Sequence, residues 1–127
     1  MYETIQIPSD CVMLFNVVKL KENIDISDVE LTIGEMCNVV KESYGNPNGG
    51  FIAGQVFKYS GFISKEGSLG DNGPEEDHHV ILTYWKTFEQ HEKSHANNIF
   101  KEKFDNLIEY TKEAKELGYE MLWQGQP

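Results

Sequence analysis

Basic residues are in short supply: 11 Lys and Arg stand against 21 Asp and Glu, a formal charge of −10 over 127 residues. That balance excludes nucleic acid as a partner, because phosphate contacts need a basic patch. The acidity is read as solvated faces that keep the chain soluble. Cysteine is scarce too, with only Cys11 and Cys37. Two thiols at unrelated positions make no disulfide framework, and a reducing cytoplasm is the compartment expected. No apolar run approaches the roughly 20 residues that a bilayer-spanning helix needs, so no membrane partner is expected. The opening Met1-Tyr2-Glu3-Thr4 has neither the basic nor the apolar region of a signal peptide. Internal repeats and low-complexity segments are absent. The length suits one domain, residues 1–127, with one core.

What is present is concentrated in Thr83-Tyr84-Trp85-Lys86-Thr87-Phe88-Glu89-Gln90-His91-Glu92-Lys93-Ser94-His95. A strand is expected to end at Trp85 and a helix to begin at Thr87, where Thr87 and Gln90 form a capping box. His91 and His95 are four apart, so their imidazoles share one helix face. That face continues through Phe88, Ile99, Phe100, Phe104, Leu107, Ile108, Thr111 and Ala114, which predicts that both histidines point inward. Inward imidazoles need partners, and a metal ion is one. Asn16, water or tyrosines are others.

The remaining elements follow in order. Residues 1–10 read as a lead-in. Cys11 to Leu20 is a β-branched and aromatic run, a buried strand with Asn16 at its middle. Ser27 and Glu30 make a capping box with Ile26 as staple. Val29, Ile33, Met36, Cys37 and Val40 then mark a helix over 28–44, with Cys37 on its apolar stripe. The Gly45–Gly50 stretch stops it. A strand spans 51–63, and a polar Gly-rich loop spans 64–77 and contains Pro74. A third strand covers 78–85, opening on His78 and His79 as surface histidines. One long helix is predicted from Phe88 to about Leu117, with the charges between Lys101 and Glu116 on its solvated face and Gly118 as its stop. A last strand covers 119–123. The order is β-α-β-β-α-β, an α+β ferredoxin-like pattern. The strands are apolar on both faces, so a homodimer with sheets packed face to face is expected.

Tyr84-Trp85-Lys86 running into His91-Glu92-Lys93-Ser94-His95 and Asn98 resembles the dimeric α+β barrel superfamily that includes antibiotic-biosynthesis monooxygenases. The narrower resemblance is to sulfur oxygenase reductase. Asn16, Cys37 with Gly50-Phe51, and Met121-Leu122-Trp123 look like further pieces of that pattern. The resemblance implies a mononuclear non-haem iron, or another divalent metal, held by His91, His95 and one glutamate, with open positions for O₂ and substrate. It implies catalytic roles for Cys37 and Asn16, and a substrate pocket lined by Tyr84, Trp85 and Trp123. The glutamate of that pattern falls on Gly125-Gln126-Pro127, where no carboxylate stands. Either another residue, Glu120 or Glu92, completes the site, or the metal is lost or held differently.

Three functions stand open at this point. One is an oxidoreductase with a helix His pair on a metal, acting on a small molecule. The second is a cofactor-free monooxygenase in which an apolar pocket and Asn16 orient an aromatic substrate. The third is a non-enzymatic small-molecule-binding dimer. His-Glu-x-x-His is also the zinc-protease signature with Glu as general base, but the chain has no second lobe and no clear third ligand.

Overall fold

The computed structural model describes residues 4–71, 73 and 75–127. The expectations for Met1–Glu3 and for Pro74 lie outside the described residues. The elements are β1 (Val12–Leu20), α1 (Ile26–Tyr44), β2 (Phe51–Lys58), β3 (His79–Trp85), α2 (Phe88–Ser94), α3 (Asn98–Glu109) and β4 (Thr111–Glu120). The four strands form one antiparallel sheet in the order β2-β3-β1-β4. This is the expected α+β ferredoxin-like arrangement, in which each helical crossover skips over one strand.

The register sorts residues by face, because successive strand side chains alternate. Val12, Leu14, Asn16 and Val18 of β1 share a face with Trp85, Thr83, Ile81 and His79 of β3, and with Glu120, Gly118, Glu116 and Ala114 of β4. This face carries the core. Leu14, Trp85 and Val40 of α1 form its centre, with Val12, Tyr44, Phe51, Phe88 and Phe100 packed around them. α1 also lies against α3, where Lys103 pairs with Glu35. The opposite face presents Met13, Phe15 and Val17 of β1, Val80, Leu82 and Tyr84 of β3, Phe57 of β2, and Leu117 and Tyr119 of β4.

Several boundaries differ from the sequence reading. α1 starts at Ile26 because Asp25, not Ser27, is its N-cap. The Asp25 carboxylate accepts from Ser27 N–H, and the Asp28 carboxylate accepts from Asp25 N–H at 2.9 Å, a reciprocal cap. Cys37 is exposed rather than on the buried stripe, which runs through Val29 and Val40. β2 ends at Lys58, short of residue 63.

The largest correction concerns the long helix. It breaks after Ser94, and Asn97 caps a new helix by accepting from Phe100 N–H at 2.9 Å. That helix stops at Glu109, and residues 111–120 are a strand. Thr111 to Glu120 is charged and has little β-propensity. However, β1 is a central strand whose outer row of backbone groups needs a partner, and pairing along the whole of β1 outweighs local preference. Gly118 is thus a mid-strand residue opposite Leu14, not a helix stop. Only Tyr119 and Glu120 of the expected last strand lie in one.

His79 is not a surface histidine. Neither ring nitrogen is reachable by solvent or hydrogen-bonded. Burial holds its pKa below the usual histidine range, and the nearby Lys58 and His78 add to this against a weaker opposing pull from Asp77. A lowered pKa means that the folded state resists the proton that the unfolded state accepts. The stabilisation is therefore complete above pH 6.5 and declines as the pH falls below it. Urea-unfolding midpoints measured between pH 5 and 8 should drop on the acid side, and the slope should be shallower in His79→Phe.

Candidate metal centre

Strand β3 delivers the chain into α2 through Trp85, which is 1% exposed. Its indole N–H donates to Thr83 Oγ1 at 3.1 Å. Thr87 then caps α2 as expected, accepting from Gln90 N–H at 3.1 Å. The Gln90 amide does not reach back to the cap backbone. It donates instead to Asn48 C=O at 3.0 Å, tying the α1–β2 loop to the start of α2.

α2 is seven residues long, with His91 in its second turn and His95 as its C-cap. His91 is 4% exposed, and its ring meets Trp85 edge-on at 5.3 Å. The His95 side chain is 42% exposed, and its ring stacks on Phe100 at 6.0 Å. The two imidazoles lie 4.5 Å apart, nearly perpendicular. His91 therefore faces inward as expected, whereas His95 borders solvent. The expected apolar stripe of α3 survives in Phe100 and Leu107, while Ile99, Phe104 and Ile108 are exposed.

A carboxylate faces each side of this pair. Glu116 of β4 lies 3.2 Å from His91 Nε2 and 4.0 Å from His95 Nε2. Glu92 lies 3.3 Å from His91 Nδ1 and 3.7 Å from His95 Nδ1. No neutral tautomer of His91 suits both neighbours. A proton on Nδ1 leaves the Nε2 lone pair against Glu116, and a proton on Nε2 leaves the Nδ1 lone pair against Glu92. His91 Nδ1 is moreover inaccessible and lacks a well-angled hydrogen bond, although Glu92 is within ion-pair distance. A positive charge between the Nε2 atoms and Glu116, carried by an imidazolium proton or by a bound cation, would relieve that conflict. One donor atom each from His91, His95 and Glu116 falls within 4.8 Å of the others. Metal–ligand bonds of about 2.1 Å at right angles put neighbouring donors about 3.0 Å apart. The observed 3.2 and 4.0 Å, to the two oxygens of Glu116, lie at that spacing and about one ångström beyond it. Two imidazoles and one carboxylate are a donor set that suits a divalent transition metal.

The other expected site residues divide. Asn16 sits opposite Glu116 in the β1–β4 register, and its amide donates to Ile81 C=O at 3.0 Å, so it belongs to this neighbourhood. Trp85 is there too, as packing beneath His91 rather than an open wall. Tyr84 is on the other face of the sheet, and its hydroxyl donates to Gln55 Oε1 at 3.1 Å. Trp123 is 77% exposed, beyond the end of β4. The expected pocket of Tyr84, Trp85 and Trp123 is therefore not assembled. The carboxylate that clusters with the two Nε2 atoms is Glu116, not Glu120 or Glu92. The sequence reading had set Glu116 on a solvated helix. Placing β4 over 111–120 would have put it opposite Asn16 by register alone. Glu92 lies on the Nδ1 side of both rings, away from the gap between Glu116 and the Nε2 atoms, which does not suit a metalloprotease-type base role.

The sequence matches no family model and no curated protein. Solved structures do match in fold. SnoaB of Streptomyces nogalater, a cofactor-independent oxygenase solved as a point variant, aligns with a TM-score of 0.63 and 12% identity over 93% of this chain and 98% of that one. A protein from Nitrosomonas europaea, provisionally named an antibiotic biosynthesis monooxygenase, aligns with a TM-score of 0.65 and 10% identity over 95% and 99%. A dimeric ferredoxin-like protein of unknown function from Bacteroides fragilis gives 0.56 and 10% over 87% and 95%. At these identities the likeness is one of fold. The narrower resemblance to sulfur oxygenase reductase is not shown by these comparisons.

The seat of α2 over Glu116 depends on Gly118. A Cβ there would lie 2.9 Å from the Phe88 ring, at the first turn of α2. Gly118→Val should cost about 1–3 kcal/mol by overpacking in urea unfolding, with partial recovery when Phe88→Leu is added.

Proposed function

We propose that this chain is a small single-domain oxidoreductase that holds a divalent metal, iron foremost, on His91, His95 and Glu116 and acts on a small molecule. The observation that supports this reading is that Glu116 confronts both Nε2 atoms while Glu92 confronts both Nδ1 atoms, an arrangement that a cation bound in the first gap would complete. Bound iron would supply oxygen activation at its open coordination positions. The chain's own residues do the rest. Trp85 and Phe100 fix the ring planes of His91 and His95. The exposed edge at His95 and Glu116 is the side from which a substrate reaches the site. Asn16, anchored on Ile81 C=O, leaves its amide oxygen to orient that substrate beside Glu116. Cys37, exposed on α1, has no part in this proposal.

A second reading is a cofactor-free monooxygenase, favoured by the fold shared with SnoaB. Asn16 would then orient an aromatic substrate that itself reduces O₂, and the histidines would act as bases. Metal analysis separates the two. Protein purified from iron-supplemented cells, or titrated anaerobically with Fe(II), should hold about one equivalent of metal per chain. His91→Ala/His95→Ala and Glu116→Ala should each abolish binding while keeping the wild-type circular dichroism. Metal-free protein that consumes O₂ with a quinol would favour the second reading.

The protein is further proposed to be a homodimer in the cytoplasm. Support comes from the apolar outer sheet face, where Phe57, Leu117 and Tyr119 are exposed, and from the fold neighbour described as dimeric. Free Cys11 and Cys37 suit a reducing compartment. No described helix is long and apolar enough to cross a membrane. In light scattering the wild type should have the mass of two chains and Leu117→Glu that of one.

A further inference from the structure

Glu92 has an unusual position for a helix-surface acid. Its side chain is 67% exposed, yet its two oxygens reach different imidazoles, Oε1 to His91 Nδ1 at 3.3 Å and Oε2 to His95 Nδ1 at 3.7 Å. The geometry follows from the helix. Glu92 adjoins His91 and stands three residues before His95, and the turn ends at His95, so one carboxylate spans both rings. Glu89, also exposed on α2, pairs with Lys93 instead. The buried His91 Nδ1 has no well-formed hydrogen bond, and the Glu92 carboxylate at 3.3 Å is its ion-pair partner.

We propose that Glu92 is the positioning carboxylate of the metal site, a single group that sets both histidines. Its two oxygens stand at ion-pair rather than hydrogen-bond geometry from the two Nδ1 atoms, and on closing to hydrogen-bonding distance they would fix the tautomer with Nε2 unprotonated and aim both lone pairs at the gap below Glu116. A conventional outer shell gives each ligating histidine its own acceptor. Here one exposed side chain serves two, so a single substitution releases both rings. The side chain touches neither metal nor substrate, and its effect runs wholly through His91 and His95. This inference rests on the metal reading of the site.

The test uses Co(II) alone as the probe, with affinity measured by chelator competition and the ligand field read from the visible spectrum. Wild-type protein should bind one Co(II). Glu92→Gln should bind about 10- to 100-fold more weakly, with shifted visible bands, because outer-shell partners of ligating histidines carry effects of that size. Glu92→Asp should recover part of the affinity. Glu89→Gln, which removes the same charge from the same helix without touching either imidazole, should leave affinity and spectrum unchanged. Circular dichroism of all variants should match the wild type. If Glu92→Gln binds Co(II) with wild-type affinity and spectrum, or if Glu89→Gln weakens binding equally, Glu92 has no positioning role, though the metal site itself stands. If the wild type binds no Co(II), the metal reading falls and this inference falls with it.

Discussion

The ladder between β1 and β4 is the constraint on which the site depends. It takes a charged segment with weak strand preference and lays it along the outer edge of the central strand. Once the register is set, alternation does the rest. Glu116 must face the helix layer opposite Asn16, and Gly118 must face it opposite Leu14. The missing side chain at Gly118 lets Phe88 approach, and α2 therefore settles with its second turn above Glu116. His91 and His95 meet a carboxylate because a strand and a helix far apart in sequence are locked by one set of backbone hydrogen bonds.

Electrostatics then limit what this meeting can be. Two carboxylates flank two imidazoles, one on each nitrogen side. A buried lone pair facing a carboxylate is unfavourable, and His91 is too enclosed for bulk water to relieve it. In the proposed reading a cation on the Nε2 side resolves the conflict, with Glu116 binding it and Glu92 orienting the rings. Trp85 beneath and Phe100 alongside hold the rings for that arrangement at little cost, since both belong to the packed core and its border.

Much of this was legible in the sequence. β1, β3 and α1 announce themselves by apolar runs and helical spacing, and the element order gives the ferredoxin-like pattern. The His91–His95 pair, Asn16 and Trp85 stand out for the same local reasons. What failed was long-range. Residues 111–120 look helical from their charges, and only the demand of β1 for a second partner makes them a strand. Misplacing that strand hid Glu116. The pocket of Tyr84, Trp85 and Trp123 came from the family resemblance, yet strand alternation puts Tyr84 and Trp85 on opposite faces and Trp123 follows the last strand, exposed. His79 shows the reverse error, a polar residue at a strand start whose two ring nitrogens are nonetheless shut off from solvent.

Anomalous diffraction from crystals of the protein grown with Co(II) tests the central claim most directly. The account predicts one strong peak per chain within bonding distance of His91 Nε2, His95 Nε2 and a Glu116 oxygen, with Glu92 on the far side of both rings. A map with no peak there, or with His91 Nε2 hydrogen-bonded directly to Glu116 through a proton in the presence of saturating Co(II), would contradict it.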